Sequence, residues 1–144
     1  MRARTRFLRA DDVRQLLVSR GLRVTAQRMI ILRELAKLRT PTSHAEMTQR
    51  LSSSGPNRVT IYRNLLSLTK AGLLVKTQLG DKVWRFELPQ ASSEGHFAHP
   101  HFICDDCGSV ACLPESSVVL RGQAVRYRDA QVQLRGRCPG CGRS

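Results

Sequence analysis

Aromatic and acidic side chains are both scarce in this chain. Phe, Trp and Tyr make up only 5% of its 144 residues, which argues against a stacking platform for single-stranded nucleic acid. Asp and Glu number 11 against 24 Lys and Arg, leaving a formal charge of +13. Cysteine is missing from the first half; Cys104, Cys107, Cys112, Cys138 and Cys141 all lie in the second. No apolar run approaches the roughly 20 residues that cross a bilayer, so no membrane partner is expected. Arg2, Arg4, Arg6 and Arg9 are followed by no apolar stretch, so residues 1–10 read as a basic arm and not as a secretory signal. A cytoplasmic location is expected. No nucleophile–base pair argues for an enzyme. Hydrophobic residues still reach 41%, enough for a core in one domain or two small ones.

The positive charge is unevenly placed. Residues 1–72 hold 15 Lys and Arg against 4 Asp and Glu, a net +11; residues 73–144 hold 9 against 7, a net +2. This asymmetry points to a polyanion-binding N-terminal half and a different task for the C-terminal half. Most of the basic residues are Arg, which makes bidentate contacts to phosphate and guanine. A GC-rich coding bias produces the same excess, so composition by itself does not decide.

The first half has the periodicity of helices. Val13, Leu16 and Leu17 make an apolar stripe over residues 12–20, and Gly21 stops it. Thr25 is placed to cap a second helix bearing Ile31, Leu35 and Leu38, and Pro41 blocks its continuation. Ser43-His-Ala-Glu46 fits a capping box for a third. Asn57 caps a fourth, which runs to Ala71 with Gly72 as its stop. On that helix Ile61, Leu65 and Leu68 share one face, while Thr60, Arg63 and Asn64 lie largely opposite, with Tyr62 near the boundary. Hydrogen-bonding groups so arranged suit base edges in a major groove, although many solvated amphipathic helices show the same pattern. Leu73–Gln78 and Val83–Leu88 flank Gly80-Asp81 and predict a hairpin. Helices followed by a hairpin predict a winged helix, and the basic charge favours DNA.

The second half carries Cys104-Asp-Asp-Cys107 and Cys138-Pro-Gly-Cys141, two C-x-x-C pairs 30 residues apart. Four thiolates make a closed tetrahedral Zn²⁺ site with no open position, hence a structural one, one ion per chain. A disulfide framework fits poorly with an odd cysteine count and no export signal, and no βαβ pattern supports a redox motif. Strands are expected at His101–Ile103, Val110–Leu113, Ala124–Tyr127 and Val132–Arg137, with a short helix over Pro114–Gln123. A zinc-ribbon module that turns its basic half to RNA remains open at this level.

Four motifs then occur in order: Gly21-Leu-Arg-Val-Thr-Ala-Gln-Arg28, Val59-Thr-Ile-Tyr-Arg-Asn-Leu65, His99-Pro-His101-Phe-Ile-Cys104-Asp-Asp-Cys107-Gly108, and Gly136-Arg-Cys138-Pro-Gly-Cys141. Together, over residues 12–142, they resemble the ferric uptake regulator (Fur) family. The resemblance implies an α+β fold. A winged helix-turn-helix domain (residues 11–88) would be followed by a linker (89–98) and a small α/β dimerisation domain (99–144) with the four-cysteine structural zinc. It implies a metal-dependent homodimeric repressor of metal-homeostasis genes, reading a palindromic double-stranded operator. Arg58, Thr60, Tyr62, Arg63 and Asn64 would lie on the recognition helix, with Arg20, Arg23 and Arg28 on phosphates or the minor groove.

The family's sensing site is where the sequence departs. His99 and His101 match the family's H-x-H, and strand alternation puts them on one face. The position five after Cys107, acidic in many members, is Cys112. Glu87 ends the wing, and Glu94 and His96 lie in the linker; any of the three could complete the set. A His usual before the third helix is replaced by Pro41, with His44 displaced by about one turn. Cys112 is equally readable as a small buried strand residue. A set rich in nitrogen and sulfur suits regulatory Zn²⁺ better than Fe²⁺ or Mn²⁺, so a zinc-responsive (Zur-type) repressor is expected over an iron- or peroxide-responsive one. The stretch from Cys107 to Cys138 is short for the family, which predicts a reduced dimerisation helix.

Overall fold

The fold is described from a computed structural model at residues 8–38, 40–53, 55–89, 98–127 and 130–142. The chain divides into two compact units, Met1–Pro89 and Gln90–Ser144. Most of the basic arm falls outside the described residues, as do Glu94 and His96.

The N-terminal unit contains α1 (Ala10–Ser19), α2 (Ala26–Lys37), β1 (Thr42–Ser43), α3 (His44–Arg50), α4 (Arg58–Lys70), β2 (Val75–Gln78) and β3 (Trp84–Glu87). The caps explain the boundaries. Thr25 Oγ1 accepts from the Arg28 amide at 3.3 Å, and Asn57 Oδ1 from the Thr60 amide at 2.8 Å. Ser43 and Glu46 form the expected reciprocal box, with the Ser43 amide donating to Glu46 Oε2 at 2.8 Å. Each arrangement satisfies amides that the first helical turn leaves open. Gly21 and Gly72 follow α1 and α4 at φ +67° and +77°, the left-handed conformation that ends a helix.

Val13, Leu17, Ile31, Leu32, Leu65 and Phe86 lie at the centre of one core, together with Met47, Ile61 and Leu68. The apolar stripe of α4 faces inward, so the opposite side of that helix is left exposed. The wing is a three-stranded antiparallel sheet of order β1-β3-β2, with Thr42 opposite Phe86 and Thr77 opposite Arg85. β1 is an addition to the expected hairpin; two residues, the second of them the cap of α3, carry no alternation to read. At the wing tip the Asp81 carboxylate takes both Arg85 guanidinium nitrogens, at 2.9 and 2.6 Å, and the Val83 amide at 3.1 Å. The Arg85 hydrogen bonds hold its pKa down at about 2. A depressed carboxylate stabilises the fold above its ordinary value of 3.8, and that contribution is lost as pH falls through about 2. An Asp81→Asn chain is therefore expected to have a shallower acid-stability profile across that window, read by circular dichroism.

The C-terminal unit is a three-stranded sheet of order β5-β4-β6, made of β4 (Ala98–Cys104), β5 (Val110–Cys112) and β6 (Gln131–Gly136). β5 runs antiparallel to β4 and β6 parallel to it. The expected helix over Pro114–Gln123 is absent. Two short 3₁₀ turns, Glu115–Ser117 and Gly122–Arg126, take its place, and the second covers most of the strand expected at Ala124–Tyr127. The β-branched Val118 and Val119 resist a helical turn. Gly122 sits at φ +63°, where a right-handed helix is interrupted. Among the described residues no helix is long and apolar enough to cross a membrane.

Candidate metal centre and nucleic-acid interface

The two C-x-x-C pairs meet because β4 and β6 are parallel neighbours. Cys104 is paired in register with Gly136, so both strands reach the same end of the sheet, and Cys138 follows two residues on. Each pair sits on a turn. The Gly108 amide donates to the Cys104 carbonyl at 3.0 Å, and the Cys141 and Gly142 amides to that of Cys138 at 3.0 and 2.8 Å. The four sulfurs lie within 4.8 Å of one another, with Cys107 and Cys138 3.8 Å apart. Tetrahedral Zn²⁺ with Zn–S bonds of ≈ 2.3 Å requires sulfurs roughly 3.8 Å apart, so the donor set and its spacing fit that ion.

The protonation pattern agrees with this. Backbone amides of Cys107 and then Cys138 hold the Cys104 thiol down at about 6; the Cys138 amide donates to Cys104 Sγ at 3.3 Å. The Ser109 hydroxyl, 3.1 Å away, lowers Cys107. Cys141 is pushed up to about 12, chiefly by its hydrogen bond with Cys138. Four sulfurs so close cannot all ionise without a cation among them. Arg135 pairs with Asp105 at 3.0 Å and Arg137 with Asp106 at 3.2 Å, so exposed ion pairs from β6 and the residue after it flank the first turn.

A second cluster lies further back on the same sheet. His99 and His101 alternate onto one face of β4, with ring centroids 4.5 Å apart. Both are buried, at 5% and 1% exposure. Cys112 stands directly across from His101 in the β4–β5 ladder. One donor atom from each of the three lies within 4.8 Å of the others. The H-x-H alternation was readable from sequence; the cross-strand pairing of Cys112 needed the register. Glu87 is the last residue of β3 in the N-terminal unit.

On α4, Arg58, Tyr62 and Arg63 are exposed, while Thr60 and Asn64 are half-buried. Asn64 Nδ2 donates to the Thr60 carbonyl at 2.9 Å. Arg23 is exposed, and Arg20 Nη1 reaches the Ala71 carbonyl at 3.4 Å. Arg28 turns inward: it donates to the Arg23 carbonyl at 2.7 Å and to Ser67 Oγ at 3.4 Å, bracing α2 against α4. Two features of this face were not anticipated. Lys76 Nζ lies 4.1 Å from the Trp84 ring centroid on the wing, and His44 lies against Tyr62. The cation–aromatic pair joins β2 to β3 and carries no short-range sequence signal.

These features define a class: a winged-helix protein whose second unit carries thiol and imidazole clusters suited to metal. The profile of the ferric uptake regulator family matches residues 19–135, and the chain belongs to that family. Over 92 residues it is 35% identical to the peroxide-responsive repressor PerR of Staphylococcus aureus (strain Mu50), covering 62% of this chain and 58% of that one. The match thus spans little more than half of that relative. The fold resembles the ferric uptake regulator of Vibrio cholerae, with a TM-score of 0.64 at 24% identity, over 86% of this chain and 98% of that one. It also resembles that of Pseudomonas aeruginosa, solved with manganese, with a TM-score of 0.64 at 25% identity over 85% and 96%.

Proposed function

We propose that this chain is a metal-dependent transcriptional repressor that binds a palindromic double-stranded operator as a homodimer and answers to Zn²⁺. The observation that carries the choice of metal is the buried pair His99 and His101 with Cys112 across from them. Two imidazoles and a thiolate favour tetrahedral Zn²⁺, whereas Fe²⁺ and Mn²⁺ favour more oxygen.

The roles divide as follows. Cys104, Cys107, Cys138 and Cys141 hold a structural zinc that folds the C-terminal unit, because such binding energy is folding energy. His99, His101 and Cys112 hold the regulatory ion, with Glu87, Glu94 or His96 as the further donor. When bound, that ion supplies positive charge and fixed ligand directions. A donor from the linker or the wing would tie the winged helix to the sheet and restrict its placement. The coupling energy is the difference in metal affinity between the tied and untied placements. In the tied dimer Tyr62, Arg63 and Asn64 face base edges, with Arg58, Arg20 and Arg23 on phosphates, and promoter access is blocked. Arg28 supports this face from behind.

The test is fluorescence anisotropy with a duplex selected from random-sequence DNA. It is run across Zn²⁺, Fe²⁺, Mn²⁺, Ni²⁺ and Co²⁺ beside metal analysis of the purified chain. Tight binding at the lowest free Zn²⁺ is expected. The likeness to a peroxide-responsive repressor favours one rival reading. Binding that requires Fe²⁺ and is lost on adding peroxide would replace zinc with that alternative. Preference for structured RNA over the duplex would instead favour the RNA-binding module.

Arg63→Ala is expected to cost about 1–3 kcal/mol on the selected duplex with little change on a scrambled one. Equal loss on both would make Arg63 a phosphate contact.

A further inference from the structure

One histidine outside both clusters is committed to the recognition helix. His44 opens α3, held there by the Ser43–Glu46 box. Its Nε2 lies 2.8 Å from the carbonyl oxygen of Arg58, the first residue of α4. A carbonyl only accepts, so Nε2 carries the hydrogen and donates it. In a regular helix the Tyr62 amide points to that same oxygen, which has lone pairs for both. The His44 ring also lies against the Tyr62 ring, with centroids 5.2 Å apart and planes inclined by 56°. Tyr62 is 47% exposed and so available to a ligand. Both rings line a cleft of about 180 Å³ shared with Lys76, Trp84 and Phe86 of the wing.

We propose that His44 is a positioning residue for operator recognition: through the Arg58 carbonyl and the Tyr62 ring it fixes the first turn of α4 and the orientation of Tyr62. The inference rests on the operator-binding function above. An exposed tyrosine left free would lose rotamer entropy on meeting DNA; one already held against a neighbour loses less. The hydrogen bond adds a link between α3 and α4 at the end of α4 where the reading residues begin. The hydrogen bond commits only Nε2; among the described residues His44 stands in neither cluster of candidate metal donors.

The experiment uses the full-length, zinc-loaded protein with two labelled duplexes, one selected from random-sequence DNA and one scrambled to the same length. His44→Ala is expected to weaken the selected duplex about tenfold and the scrambled one less than twofold. His44→Gln keeps an N–H donor at similar reach; it is expected to recover part of the loss and guards against a folding defect. In a Tyr62→Ala background, adding His44→Ala should cost clearly less than in the parent, because the part of the effect that passes through the Tyr62 ring is already gone. Zinc content and metal dependence should stay as in the parent. Additive losses, equal losses on both duplexes, or loss of metal dependence would each overturn the inference. A parent protein that selects no duplex overturns the operator-binding function and this inference with it. Undiminished selection by His44→Ala overturns the inference alone.

Discussion

A Cys104→Ser chain is expected to lose its structural zinc and, with it, the fold of the C-terminal unit. The reason lies in how little else holds that unit together. Its described hydrophobic residues that are buried are Ile103 and Cys104 itself, whereas the N-terminal unit buries a core from Val13 to Phe86. A three-stranded sheet with so small a core is marginal in water. Apparent zinc-binding energies of about 10–16 kcal/mol in small Cys-ligated modules are ample to make the difference. Cys104 is also the β4 residue paired with Gly136, so a metal held there would pin two neighbouring strands at one end. Metal analysis should find the ion missing. Limited proteolysis should cut after residue 98 while the winged helix resists. A C-terminal unit that stays protease-resistant in the variant, or in parent protein stripped by a chelator, would show that its fold does not depend on the cluster.

A His99→Ala chain should retain one zinc, keep its fold and lose metal-dependent operator binding. His99 lies near the start of β4, five residues before Cys104, so removing its imidazole leaves the thiol cluster intact. Only the second donor set is broken. Allosteric coupling energies are typically about 1–3 kcal/mol, so adding Zn²⁺ should no longer tighten operator binding by the corresponding 5- to 150-fold. Binding isotherms with and without added Zn²⁺, at constant ionic strength, make the comparison. Unchanged metal dependence with one ion still bound would remove the His99, His101 and Cys112 cluster from sensing. Weak binding in both conditions with the zinc lost would indicate instead that the unit had unfolded.

The local rules read most of the N-terminal unit from sequence. Thr25, Ser43 and Asn57 stand where a helix must begin, and Gly21 and Gly72 where one must end. These signals depend on residues within four positions of one another, so no tertiary knowledge is needed. The apolar face of α4 followed from its period, and with it the exposure of Arg63. Features that depend on distant partners were illegible. β1 is too short to have a period, and only its pairing with β3 defines it. Arg28 looked like another surface cation until Ser67, 39 residues away, offered it an acceptor. The crossover from β5 to β6 looked helical because Pro114 and a polar run mimic a helix start, but β-branched residues and Gly122 break it. For the metal clusters, the thiol spacing announced the first. The second was legible in its members, His99 and His101 through alternation and Cys112 through its place five after Cys107, but the pairing that sets Cys112 across from His101 shows only in the register of β4 and β5.

That β4 carries both clusters bears on how such a regulator would fail. His99 and His101 are held on a strand whose far end is Cys104, so their spacing is only as good as the anchor. Oxidation or chelation at the thiols would release the strand and disperse the imidazoles, whatever the supply of metal around them. On the proposed assignment a damaged protein therefore reports scarcity and never excess. Its error has a fixed sign: injury opens the regulated genes and leaves none locked shut.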